Sequence, residues 1–389
     1  MKKIIVLSLL VIIGILFTAQ IKRAAVSLLI LADIVRPPGK AIMGKFIDGP
    51  SVKRVNIKSG GRPIPADLYI PKEKGIHFPL VIVHGVNPTG KDDEQLVLLA
   101  NDLARAGLLV IVPDLEGMKA LRIRISDAED VLQSYLYVSR LKDVSHYGGM
   151  LGISYGAGPM LLASAEPRIR DKISVVATFG GYYDLRNVML FATTGNFEYG
   201  SHRGRLRPEE FTRWMFAYRN LDMLRTPADR TTLRKIIEKR NRYENAEAAA
   251  LAKSLGPEGR ALYDFLMNTD QERFGLLYEK LPVELREQVY QLSPARAIKY
   301  IKASFIIAHG MEDYSIPYTE SLRLADAVGD RRRVHLELLP QFMHIEPVEP
   351  SAGTIYKKYA LGGWRLFSLI YDLLGKGAQA NRAHGVDYQ

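Results

Sequence analysis

The chain has 389 residues, with 53 Lys and Arg against 42 Asp and Glu and a net charge of +11. Its length and its 47% hydrophobic content suit one large domain with an insertion. The lack of cysteine excludes a disulfide scaffold. No H-E-x-x-H run and no His–carboxylate cluster at ligand spacing occurs, so neither a metal nor a cofactor is expected.

In chain order, Lys2-Lys3 precede residues 4–19, an apolar run interrupted only by Ser8 and Thr18. At 1.5 Å per residue the run covers about 24 Å, short for a membrane span unless Gln20 and Ile21 extend it. Phe17 stands where a cleavage site needs a small residue, and Lys22-Arg23 follow at once. Residues 1–23 are therefore expected to be a single uncleaved membrane anchor, with a cleaved export signal as the alternative. Which side of the membrane the rest occupies stays open, because basic residues flank the run on both sides. Residues 24–35 form a second apolar stretch, too short to span, and Arg36-Pro37-Pro38-Gly39 ends it within a linker over 24–50.

Residues 52–70 alternate around Gly60-Gly61 and predict an antiparallel hairpin at a sheet edge. After it, apolar runs at 79–83, 108–112, 150–151, 172–179, 303–308 and 334–339 predict buried strands. Between them, 93–106 and 126–141 carry helical patterning, the second with Ser126 and Glu129 spaced as a capping box. Continuous apolar strands alternating with helices imply an α/β fold, a mostly parallel doubly wound sheet covered on both faces. On such sheets, ligands bind beyond the carboxyl ends of the strands.

One such end carries Gly152-Ile153-Ser154-Tyr155-Gly156, which leads into the helical run 157–165. A serine on a tight strand-to-helix turn projects its hydroxyl above the sheet and presents the next N–H, that of Tyr155, to an oxyanion. A serine nucleophile needs a base, and the base needs an acid to hold its tautomer. Asp313, past Gly310, and His344, past the strand ending near Pro340, supply them at the same rim. Glu312 and Asp184 compete for the role of acid. His335 and His309 read as structural, His146 lies at the opposite end of the sheet, and His84 reads as shaping its loop. Gly85-Val86-Asn87-Pro88-Thr89-Gly90-Lys91 fits a phosphate-binding loop, but Asp92 stands where Ser or Thr should hold magnesium.

The order Ser154, Asp313, His344 resembles that of the α/β-hydrolase superfamily. Residues 307–317 look like its acid loop and 341–344 like its histidine loop. The resemblance is closest to the dienelactone-hydrolase and prolyl-oligopeptidase-like branch. It implies a second oxyanion donor at the N–H of Val86, with Asn87 as the other candidate. It also implies a cap at 185–298, inserted between core segments 51–184 and 299–375. This insertion is expected to be all-helical, with helices near 208–221, 230–255, 258–267 and 282–290. Residues 376–389 read as a frayed polar tail.

The insertion holds a cluster of aromatics, Phe211, Trp214, Phe216 and Tyr218 with Met215, that could line a substrate cavity. Residues 201–242 carry ten Arg and two Lys against five acids. That charge suits an anionic substrate, an acidic membrane surface or a plain solvated face, and no nucleic-acid module accompanies it. The expected activity is hydrolysis of a small-molecule carboxylic ester through an acyl-enzyme. Acyl transfer or peptide hydrolysis by the same triad is the runner-up, and a catalytically silent membrane-bound binding protein is the reading from another class.

Overall fold

The computed structural model describes residues 2–122, 124–340, 342–343 and 355–386, with side chains left out at 2–17, 38, 211–212, 355–360 and 382–386. Its centre is an eight-stranded sheet in the order β1-β2-β4-β3-β5-β6-β9-β10. The strands are β1 (Ser51–Ser59), β2 (Arg62–Ile70), β3 (Pro79–Val83), β4 (Leu109–Pro113), β5 (Gly148–Ile153), β6 (Ile173–Phe179), β9 (Ser304–Gly310) and β10 (Val334–Leu339). A separate hairpin, β7 (Asn196–Tyr199) with β8 (His202–Arg205), lies in the insertion. β2 runs antiparallel to both β1 and β4, and every other pairing in the large sheet is parallel. The edge hairpin is as expected, turning at Gly60 and Gly61, both at positive φ.

The central strands are apolar throughout because each feeds two cores. Val81 and Val83 of β3 join the cluster under the helices Ser126–Val138 and Ala157–Ser164, which runs on into the insertion. Leu80 and Ile82 join the opposite cluster, with Leu96 and Leu103 of the helix Glu94–Arg105. Asp93 caps that helix through its side chain, accepting from the N–H groups of Gln95 and Leu96. The expected capping box at Ser126 is not formed, because Ser126 is already helical and Ile125 precedes it. Asp127 instead accepts from the Arg124 N–H at 2.8 Å, and Glu129 pairs with Arg168.

The second core is completed from both ends of the chain. The N-terminal helix, Lys2–Ile34, is continuous through both apolar stretches and stops before Arg36-Pro37. Its second half is packed on the domain: Val26 and Ile30 are buried beside Leu366, Leu369 and Ile370 of the C-terminal helix Ile355–Val386. Asp33, fully buried, accepts from the N–H groups of Ile42 at 2.7 Å and Met43 at 2.9 Å. The tail expected to fray from 376 is helical to Val386, with Ala380 buried and its carbonyl accepting from Ser145. Small residues at Gly375 and Gly377 let it lie against Arg23 and Phe78. Among the described residues no helix is long and apolar enough to cross a membrane. Of the expected anchor at 1–23, the side chains up to Phe17 lie outside the described residues.

The insertion is not all-helical. It opens with the helix Leu185–Thr194 and the β7–β8 hairpin, neither of which the patterning predicts. The segment read as one helix over 230–255 is two, Pro227–Asn241 and Asn245–Ala252, separated at Tyr243 with φ 62°. Glu210–Arg219, Pro257–Met267 and Val283–Leu292 follow the expected positions, and Gln271–Glu279 is additional.

Candidate active site

Register alone brings the expected rim together. Val83 pairs with Gly152, Ile153 with Phe179, Phe179 with Ala308, and Leu339 with Gly310. The carboxyl ends of β3, β5, β6, β9 and β10 therefore line one edge of the sheet. From that edge emerge His84-Gly85, Ser154, Asp313 and the Phe342-Met343 segment.

At the end of β5 the chain turns through Ser154, whose φ of 52° lies in the left-handed region. A non-glycine residue there is strained by roughly 1–3 kcal/mol, a cost met at sites where the surrounding structure holds it. The turn is possible because its flanks lack side chains. A Cβ on Gly152 would lie 2.5 Å from the Ala157 Cα, and one on Gly156 would run into the carbonyls of Val83 and His84. Ser154 is nearly buried and faces the loop after β3: a Cβ on Gly85 would lie 3.7 Å from the Ser154 Oγ. The helix Ala157–Ser164 starts directly behind, so its N-terminal dipole points at the same spot.

That loop is braced on both sides. The Leu115 N–H donates to His84 Nε2 at 3.0 Å, so the ring proton is on Nδ1 and is donated to the Gly85 carbonyl at 2.7 Å. Burial holds the His84 pKa below its ordinary value, which fits a neutral structural ring. Asn87 donates to Asp93 at 2.8 Å and accepts from the Thr89 N–H at 2.7 Å. The Lys91 ammonium, in the position that would contact a phosphate, is buried between Asp67 at 2.9 Å and Asp92 at 2.6 Å. The glycine-rich run is thus a strut for residues 85–87 and not a nucleotide cradle.

Asp313 is fully buried beyond β9. Its Oδ1 accepts from the N–H groups of Ser315 and Ile316, both at 2.8 Å, and Oδ2 lies 3.3 Å from His309 Nε2. His309 is itself fixed: Nε2 donates to the Ile316 carbonyl at 2.9 Å, and Nδ1 accepts from the Ser321 hydroxyl at 2.7 Å. These bonds tie the segment 313–321 to the end of β9. The competing acids are placed otherwise. Glu312 is exposed, and the Asp184 carboxylate caps the helix Leu185–Thr194, accepting from the Arg186 N–H and the Ser293 hydroxyl. His344 lies outside the described residues. Its loop begins against the acid loop, since a Cβ on Gly310 would lie 2.5 Å from the Phe342 carbonyl oxygen and 2.7 Å from that of Met343. His335 binds Asp372 on the C-terminal helix at 3.2 Å, away from the site.

The eight-stranded order with its one antiparallel member, and a strained serine turn at the end of the fifth strand, decide the architecture. Its fold is the α/β-hydrolase fold. No family model matches the sequence, and no curated protein matches it. Among solved structures, the Pyrococcus horikoshii acylaminoacyl peptidase is similar at 16% identity and a TM-score of 0.47, over 78% of this chain and 39% of that one. A 2,6-dihydroxy-pseudo-oxynicotine hydrolase is similar at 17% identity and 0.47, over 84% and 68%. A dienelactone hydrolase from Anabaena variabilis is similar at 12% identity and 0.41, over 82% and 98%. The chain spans about two fifths of the length of the acylaminoacyl peptidase it resembles.

Above the serine turn, the insertion roofs a half-open cavity of about 210 Å³. Tyr155, next to Ser154, and Tyr314 and Ser315, close to Asp313, form its floor; Phe216, Leu262 and Leu285 of the insertion contribute to its far walls. Of the expected aromatic cluster, Phe216 lines the cavity and packs against Tyr155 at 5.2 Å, while Trp214 is buried in the insertion under Arg240. The Phe211 side chain lies outside the described residues. Three of the basic side chains are used internally: Arg213 donates to the Ala192 and Thr193 carbonyls, Arg230 to the Leu224 carbonyl, and Arg240 to Glu210.

Glu320 is a residue the sequence reading missed. Fully buried after the acid loop, it accepts from the N–H groups of Tyr183 at 3.1 Å and Asp184 at 2.7 Å, and burial pushes its pKa up to about 7. It fastens the base of the insertion to the rim. The signal was an acid on the inner face of a helix, four residues before Leu324, a pattern ordinarily dismissed as surface charge.

Proposed function

We propose that the chain is a serine hydrolase of carboxylic esters. Ser154 attacks the carbonyl carbon, His344 accepts the serine proton and returns it to the departing alkoxide, and Asp313 orients His344 and stabilises its imidazolium. The N–H groups of Tyr155 and Val86 bind the oxyanion. Water then attacks the acyl-enzyme by the same proton transfers in reverse roles, which releases the acid. The observation that carries the reading is the left-handed Ser154, held against Gly85 on a rim that also carries the buried, doubly hydrogen-bonded Asp313. Strain of this kind is retained where a function uses it. The test is hydrolysis of p-nitrophenyl butyrate by the wild type and by Ser154→Ala: turnover by the first only supports the reading, and equal turnover by both removes it.

We also propose that residues 1–23 anchor the protein to a membrane, a reading supported by the apolar run at 4–19 and its poor cleavage site. The full chain should then pellet with membranes and resist both carbonate and high salt. Release by 1 M salt would point to surface charge instead, because such attraction is screened within about 3 Å at that ionic strength.

A further inference from the structure

We propose that the outward face of the N-terminal helix pairs with the same face of a second copy of this chain, the two helices running parallel. The inference goes beyond the hydrolase reading and is independent of it; only the parallel sense uses the anchor reading. Along this helix the residues turned to the domain, Val26, Ser27, Ile30 and Asp33, are buried. The opposite face carries Ile21, Ala25, Leu28, Ala32 and Val35, spaced by four, three, four and three residues. Among them Ile21 is 55% exposed, Leu28 54% and Val35 49%, and Ala25 is exposed as well. Single exposed apolar side chains are ordinary, whereas a row of them aligned on one helix marks a contact surface. Alternating steps of three and four average 3.5 residues, the spacing that keeps one stripe in line with a partner helix.

The stripe suits its own copy. It holds no charge, and large Ile21, Leu28 and Val35 alternate with small Ala25 and Ala32, so two copies interleave without repulsion. Lys22 and Arg36 both lie on one edge of it, where Lys22 pairs with Glu73 at 3.2 Å and Arg36 donates to the Ala32 carbonyl at 2.8 Å. A parallel partner faces that edge with its other, uncharged one, which carries Ala24 and Leu31. A bilayer fits this face less well. The helix is unbroken from Lys2, so residues past 20 rise out of any layer that 4–19 enters, and the exposed Lys22 marks that boundary. From Ile21 to Val35 the seam runs about 21 Å, short for a stable interface by itself. In the sequence the same spacing continues back through Thr18, Gly14, Val11, Leu7 and Ile4, which roughly doubles its length. Two copies anchored in one membrane enter it from the same side, and only parallel pairing sets their apolar runs together.

The chain has no cysteine, so single cysteines placed in turn from Gln20 to Arg36 report the contact without background. The full-length variants are oxidised with copper phenanthroline, and disulfide-linked dimer is read on a non-reducing gel. We expect maxima for Ile21→Cys, Ala25→Cys, Leu28→Cys, Ala32→Cys and Val35→Cys, with minima between them. Sedimentation of the purified full chain should give the mass of a dimer. Leu28→Glu, at a position outside the core, should halve that mass and raise the dissociation constant at least about 100-fold. The cysteine scan carries the test should that variant fail to fold. Uniform or absent cross-linking, a single maximum at Leu28→Cys as in an antiparallel crossing, or a wild type that sediments as a monomer overturns the proposal. Quenching of a dye on Leu28→Cys by brominated lipid would give the face to the bilayer and overturns it too. None of these outcomes touches the assignment of Ser154.

Discussion

The rim of the sheet and the insertion above it are built on different principles. At the rim, His84, Ser154 and Asp313 sit one to three residues beyond their strands, and strand register then places them at one edge of the sheet. In the insertion, no single element makes the cavity. Phe216 comes from Glu210–Arg219, Leu262 from Pro257–Met267 and Leu285 from Val283–Leu292, and only their mutual packing leaves space between them. The rim should therefore respond to substitution in an all-or-none way and the insertion in a graded one.

The largest effects should come from the rim. Ser154→Ala and His344→Ala should each lower kcat by about 10³-fold or more with little change in KM, as measured on a short ester. A graded loss of less than tenfold at Ser154 would erase the distinction between the two regions. Asp313→Asn should cost about 10³–10⁴-fold in kcat, by the logic of a triad acid that can no longer hold the tautomer. Asp184→Ala should act on stability instead, lowering it by about 1 kcal/mol through the lost helix cap, with kcat within a few-fold of wild type. Chemical denaturation and steady-state kinetics on the two variants separate these outcomes. A crippled Asp184 variant beside an active Asp313 variant would move the acid to the end of β6.

The two regions also differ in how readily they are read from sequence. The strands, the edge hairpin and the serine turn were legible because each has a local physical cause: two-sided burial, a Gly-Gly turn, glycines that permit close approach. Lys91 mimicked a phosphate ligand because its partner Asp67 is distant in the chain and invisible to any local pattern. The β7–β8 hairpin escaped notice since its second strand, His202–Arg205, is wholly exposed and lacks apolar alternation. The single helix expected over 230–255 failed at Tyr243, where propensity carries no warning of a left-handed residue. Of the aromatic crowding at 211–218, Phe216 lines the cavity while Trp214 is buried within the insertion, a difference made by helix rotation against the core.

A smaller effect should mark the attachment of the N-terminal helix. Burial, and then the neighbouring Asp33, raise the pKa of Asp102 to about 7, against the pull of Arg105. Unfolded, it titrates near 3.9. The folded state thus holds the proton more tightly, so its stabilising contribution is complete below about pH 4 and is lost as pH rises toward about 7. The melting temperature should therefore fall between pH 5 and pH 8, and Asp102→Asn should reduce that fall. A variant with an unchanged pH profile would show that this carboxyl pair does not govern docking.

The central claim is that strain and register make Ser154 a nucleophile. Peptide mapping after treatment with a fluorophosphonate tests it most directly. The account predicts a single covalent adduct, located on Ser154, formed by the wild type and lost in His344→Ala. An unmodified protein, or an adduct on any other serine, would contradict it.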